Sequence, residues 1–355
     1  MIDDVNFAGL PAGKARTRGP FAIHEILSGG SPARRFARRG IGLSVATAAG
    51  QLSYILVLPI LSRMFPPSDF GDFIIYLSIV NISAPLAGLR FESALYSAPD
   101  KARARTIFRL SLSTIAFMSA MAGGIIFLTA DFLPSDASHA LRPLRLLLPL
   151  GIFMAGLWDL ASAWAIRRDA MRTLAIARFA QPFVLALLQI AFGLLALPAA
   201  SLVVAHIGSY AAYALIIFLR TMTREDVAGI AATTLRQIAG AARQEIKFLF
   251  YTTPAFIITL LISNLPPLFM GSLFGAEIAG NYGIAYRVIY GPLTVISYPL
   301  SNIFTAEASA SHDPAAVQTA ARFMFAVSLV LVAAPAAVFG LAAPQLAPIA
   351  LGARW

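Results

Sequence analysis

The sequence predicts an all-α polytopic membrane protein of about nine spans, arranged as two parallel pseudo-repeated helical bundles with the second one incomplete. Three observations predict it. Residues 41–351 are almost continuously apolar, broken by short basic or Gly/Pro-rich loops. Apolar residues are 58% and charged residues 12% of the chain, with a mean hydropathy of +0.76; a soluble chain of 355 residues carries more charge and an amphipathic period. A hairpin segment recurs in the two halves, LSRMFPPSDFGDF at 61–73 and MGSLFGAEIAGNY at 270–282.

Residues 1–40 come first. They are rich in Gly, Pro, Ala and Arg and lack the apolar core of a signal peptide. Their composition reads as a disordered basic tail held near anionic lipid. A bilayer core about 30 Å thick takes about 20 apolar residues per helix. By that measure spans lie near 41–62, 73–96, 106–130, 143–166, 173–196, 199–219, 248–272, 281–304 and 319–341. The net charge of +10 follows the loops. Alternate segments carry Arg34, Arg35, Arg38 and Arg39, then Lys101, Arg103, Arg105 and Arg109, then Arg167, Arg168, Arg172 and Arg178, then the cations of 220–247. The other set holds only Arg63, Arg142, Arg145 and Arg354. The positive-inside rule therefore puts the N-terminus in the cytosol and the loops at 63–72, 131–142, 197–201 and 273–280 outside. Topology explains the basic balance, so no nucleic-acid partner is expected.

The polar segment 220–247 divides the chain after six spans, giving a first lobe at 41–219, an inter-lobe loop and a second, partial lobe at 248–355. An interfacial helix is expected near Thr233–Lys247. Six spans return the chain to its starting side, so a repeat of the first half runs parallel to it. Phe65 and Phe274, Gly71 and Gly280, and Phe73 and Tyr282 share one offset, and an acidic residue precedes each glycine (Asp69, Glu277). Parallel repeats about an axis along the membrane normal are a transporter pattern. Prolines such as Pro59, Pro85, Pro182 and Pro266 interrupt the spans, which neighbouring helices or cavity water must then satisfy.

The chain has no cysteine, and its four histidines lack metal-ligand spacing, so no metal or cofactor is expected. Nucleophile elbows, P-loops and paired intramembrane carboxylates are missing from the sequence, which argues against an enzyme.

GQLSYILVLPILSRMFPPSDFGDF, RFESALYSAPD, WDLASAWAIRRDAMRTLAIARFAQPFVLALLQIAFG and SNLPPLFMGSLFGAEIAGNYGIAYRVIYGPL resemble, in order and spacing, the oligosaccharide flippase (polysaccharide biosynthesis protein) family. That family shares a superfamily with multidrug exporters. The resemblance covers 41–355. It implies two helical lobes around a cavity in a bacterial inner membrane, and movement of an undecaprenyl-pyrophosphate-linked oligosaccharide between leaflets. Partners implied are that lipid-linked oligosaccharide, membrane lipids and other polysaccharide assembly proteins. Family members usually carry twelve or more spans, and LGARW looks like their hairpin after the ninth. Export of drugs or of a peptidoglycan precursor is the near alternative. A membrane-embedded polymerase or ligase is the alternative of another class, disfavoured by the short outside loops.

Charges and amides inside apolar spans are the candidate site residues, because a charge at mid-bilayer costs about 2.5–3.5 kcal/mol on insertion scales. Arg287 shares a face with Gly283, Tyr290, Gly291 and Thr294 and reads either as a cavity wall binding pyrophosphate or as a structural ion pair. Arg90 and Glu92 stand two apart, so on a regular helix they face apart. Glu92 continues the stripe Ser78, Asn81, Pro85, Gly88, whereas Arg90 snorkels or contacts lipid phosphate. Asp159 is an ion-coupling candidate or is neutralised by Arg167 or Arg168. Gln51, Gln181 and Asn264 offer sugar contacts or, more commonly, interhelical hydrogen bonds. Tyr286 and Tyr290, with Tyr282, form a stripe for an interface belt or for sugar stacking.

Overall fold

A computed structural model describes residues 32–129, 146–198, 200–247 and 253–289, with scattered positions between 318 and 352. Regular structure among these residues is helical throughout. In order come α1 (Pro32–Met64), α2 (Pro67–Gly88), a 3-10 segment (Phe91–Ser97), α3 (Lys101–Thr129), α4 (Leu147–Arg167), α5 (Met171–Leu194), α6 (Ala200–Thr221), α7 (Arg224–Ala231), α8 (Leu235–Lys247) and α9 (Thr253–Phe274). A further helix, α10, covers 276–289. Among the described residues seven helices, α1 to α6 and α9, are long and apolar enough to span a bilayer. The rest of the expected eighth span and most of the ninth lie outside the described residues.

The first two spans differ from expectation. The first helix starts at Pro32, ahead of 41, so Arg34, Arg35, Arg38 and Arg39 fall within it. The second span, expected at 73–96, is a helix over Pro67–Gly88. Pro67 at its first position has a preset φ and lacks only an N–H that would be an orphan there. Asp69 in the first turn suits the positive end of the helix dipole. The helix stops because Leu89 (φ 48°) and Arg90 (φ 57°) turn left-handed, and Pro85 one turn earlier has already removed a backbone donor. Hydropathy averages over a window and does not register that reversal.

Helices α2, α4 and α6 form the inside of the first bundle, burying 56%, 56% and 50% of their apolar windows against 17% for α1 and 22% for α3. Phe70, Phe73, Tyr76, Tyr213 and Trp164 are fully enclosed there. Leu56, Phe117, Leu128, Leu219 and Ile262 point outward, an apolar surface that only hydrocarbon satisfies.

The linker is fastened to one end of this bundle. Thr223 and Asp226 cap α7 reciprocally: Asp226 N–H donates to Thr223 Oγ1 (3.2 Å) and Thr223 N–H to the Asp226 carboxylate (3.1 Å). That carboxylate, 2% exposed, also accepts from Arg105 Nε on α3 at 3.1 Å and from Arg168 beyond α4. Desolvation pushes its pKa up, but the Thr223 and Arg105 hydrogen bonds and the Arg168 charge outweigh it and hold it below the usual carboxylate range. Helix α8, near the expected interfacial helix, is capped by Thr234 and Gln237 and held to α3 by Arg103 Nη2 donating to Glu245 Oε1 at 2.6 Å.

The two hairpins meet. A Cβ on Gly71 would run into the Ala276 backbone, and a Cβ on Gly280 into the Pro67 carbonyl; one on Gly283 would strike Ile74. Pro67 and Ala276, Gly71 and Gly280, and Ile74 and Gly283 all share the offset seen in the sequence, so the contact is self-complementary about a two-fold axis. The like pairs Gly71–Gly280 and Ile74–Gly283 step in the same direction along α2 and α10, as parallel helices do, while Pro67–Gly280 and Gly71–Ala276 are the reciprocal cross-pairs; an in-plane axis would make the helices antiparallel. Gly280→Ala should therefore force this crossing apart and lower stability by about 1–3 kcal/mol, as overpacking does. Melting of the purified protein in detergent checks it; an unshifted transition refutes the contact.

Candidate functional site

Arg287 lies eleven residues into α10, about 16 Å at 1.5 Å per residue. Its Nη1 donates to Tyr54 Oη on α1 at 2.6 Å. The guanidinium also lies over the Tyr54 ring (5.1 Å) and the Phe73 ring (5.3 Å). It thus joins the second half of the chain to the first. Tyr54 Oη in turn donates to Gln189 Oε1 on α5 at 3.0 Å. Nearby on the same seam, Asn81 Nδ2 on α2 donates to Asn264 Oδ1 on α9 at 3.2 Å.

A second group gathers toward the linker end of the first bundle. Arg90 and Glu92 form an ion pair at 3.4 Å, contrary to the expectation that they face apart. The helix has ended by then, and the left-handed turn at Leu89 and Arg90 brings the two side chains together. Glu92 is nevertheless beside Gly88, whose Cβ would lie 3.1 Å from its Oε2. Asp159 on α4 feels Arg90 and Arg178 as its cations. Arg167 and Arg168 do not neutralise it: Arg167 donates to the Asp100 carbonyl, and Arg168 to the Thr221 carbonyl and Asp226.

Arg178, read from sequence as a loop cation, lies within α5 with its guanidinium 4.1 Å from the centre of the Trp158 ring. Its position three residues before Gln181 in an apolar run was the available signal. Tyr54, three residues after Gln51, was also missed as a polar partner.

The two groups are continuous. From Arg287 over Phe73 the rings follow in order: Phe73 to His206 (6.0 Å), His206 to Tyr210 (4.2 Å), Tyr210 to Trp158 (6.0 Å), then Arg178. A cation thus caps each end of an aromatic ladder through the first bundle. Aromatic faces carry negative potential, so such stacking holds a guanidinium inside an apolar span. Both cations present planar forks suited to phosphate oxygens.

Gln181 Nε2 donates to Ser209 Oγ at 3.1 Å, a bond between α5 and α6. Gln51 is exposed on α1. Tyr286 is 37% exposed and stacks on Tyr282 at 6.1 Å. Tyr290 lies outside the described residues.

Comparison with known proteins agrees with this architecture. Residues 60–355 match the family model described as polysaccharide biosynthesis protein. No curated protein matches the chain. Among solved structures, an inward-facing multidrug resistance MATE family transporter of the MOP superfamily aligns with TM-score 0.54 and 16% identity, covering 88% of this chain and 75% of that one. An outward-facing conformation of such a transporter aligns with TM-score 0.53 and 18% identity, covering 92% and 79%. A MATE protein in complex with MaD5 gives 0.55 and 17%, covering 93% and 78%. At these identities the likeness is one of fold.

Proposed function

Because the chain belongs to the polysaccharide biosynthesis protein family, we propose that it moves an undecaprenyl-pyrophosphate-linked oligosaccharide across the bacterial inner membrane by alternating access. The lobes are 41–219 and 248–355, joined by 220–247, with the N-terminus and linker in the cytosol. The observation that carries the reading is Arg287, a fork-shaped cation in an apolar helix at the seam between the two halves, held there by Tyr54. A pyrophosphate offers that fork two acceptor oxygens, and the sugar hydroxyls need the amides that line the same seam. Asn81 and Asn264 supply these, with Gln51, Gln181, Tyr286 and Tyr290 as further contacts. Arg90 and Glu92 receive the head group near the cytosolic leaflet, and Asp159, within electrostatic reach of Arg90 and Arg178, couples an ion to the movement. A cationic drug gains nothing from a seam whose charge is Arg287, which disfavours the exporter alternative.

Deleting the gene in its host should abolish surface glycan and leave lipid-linked units facing the cytosol; restoring it should reverse both. Units that still reach the outer leaflet but stay unpolymerised would overturn transport in favour of a polymerase.

A further inference from the structure

The linker end carries a feature the seam does not use. A cavity of about 360 Å³ is lined by Lys101, Arg105, Arg168, Arg224, Glu225 and Asp226. Lys101 opens α3, Arg168 follows the end of α4, and Arg224 opens α7 just after α6 ends. Three spans cross the hydrocarbon boundary at this place, so the cavity lies at the depth of lipid head groups.

Its charges do not cancel. Four cations face two carboxylates. Asp226 is taken up by Arg105 and Arg168, and Glu225 approaches Arg105 at 3.6 Å. Arg168 is further steadied over the Trp164 ring at 5.4 Å. Lys101 and Arg224 are exposed and make no side-chain hydrogen bond or ion pair with the described residues. The general excess of cations on this face accounts for their sign. It does not account for their convergence on one cavity whose carboxylates are already engaged.

We propose that this cavity binds the phosphate group of an anionic lipid in the leaflet that meets the linker. Lys101 and Arg224 contact the phosphate, while Arg105 and Arg168 are positioned beside it by Asp226. A bound head group would bridge α3 to α7 and so brace the linker against the first bundle. The inference stands independently of the cargo, because the seam residues take no part in it.

The test uses the purified full chain in zwitterionic detergent and follows its melting temperature. Phosphatidylglycerol should raise it, and phosphatidylcholine should not. In Lys101→Gln/Arg224→Gln the phosphatidylglycerol needed for half the rise should increase about 25-fold, at the usual strength of a cation near an anionic surface. Lys101→Arg/Arg224→Lys should keep the response. Arg236→Gln/Arg243→Gln removes equal charge from α8, on the same face, and should also keep it. Inorganic phosphate is the remaining arm. A response to the lipid alone assigns the site to head groups; a response to phosphate as well, lost in the same double variant, assigns it to the phosphate group whatever carries it. The proposal falls if neither raises the melting temperature, or if the α8 variant loses the response as fully as the cavity variant.

Discussion

Arg287→Ala is expected to slow surface-glycan export about 30- to 150-fold, since a bidentate charge-assisted pair is worth about 2–3 kcal/mol. Arg287→Lys keeps the charge but loses the fork, so its loss should be smaller, about tenfold. Tyr54→Phe provides the internal comparison. It removes the hydroxyl that Arg287 holds across the seam but leaves the ring beneath the guanidinium. If the contact only fastens the two halves, Tyr54→Phe and Arg287→Ala should impair export alike. If the guanidinium binds cargo, Arg287→Ala should be far the worse. The measurement is the initial rate of glycan appearance at the surface, with membrane content of each variant followed in parallel. Full export by the alanine variant would remove Arg287 from the mechanism.

Arg178→Ala is expected to destabilise the first bundle by about 3 kcal/mol, because it leaves Asp159 as an undercompensated charge within the membrane. The double change Arg178→Ala/Asp159→Asn should recover more than half of that loss, since it removes both charges together. In Asp159→Asn alone, Arg178 keeps the Trp158 ring beneath it and Arg90 keeps Glu92, so this change should cost less than Arg178→Ala. Melting temperatures of the four proteins in one detergent close the cycle. Strict additivity would show that the two side chains do not act on each other.

Much of the helical framework was legible because length and hydropathy answer the same question in a membrane. Each of α3 to α6 falls near its expected span, and α8 declared itself through its charges. The repeated hairpin was legible because Gly71 and Gly280 are fixed by close packing, which leaves a mark on the sequence. The site was less so. Reading Arg90 and Glu92 as facing apart assumed an unbroken helix, and the left-handed turn at Leu89 cancels that geometry. Arg178 was grouped with the loop cations although the span expected at 173–196 contains it, because charge alone was read as a loop signal, and the Trp158 ring that screens it lies twenty residues away on another helix. Tyr54 went unnoticed for a different reason. Its partner lies 233 residues away, and local periodicity carries no information about contacts of that range.

The reciprocal hairpins also have a limit. By the offset that relates Gly71 to Gly280, the counterpart of Arg287 is Ser78 and that of Tyr54 is Ser263. Each of those serines spends its hydroxyl on its own helix, Ser78 on the Ile74 carbonyl and Ser263 on the Thr259 carbonyl. Duplicated scaffolding here frames unduplicated chemistry: one cheek of the seam is charged and its twin is neutral. For an anion passing between them, the path of least energy runs off-centre, along the cheek that bears the guanidinium. The same imbalance gives the seam a sidedness that its backbone lacks, so exchanging residues 78 and 287 would be no silent swap even though the frame around them is the same.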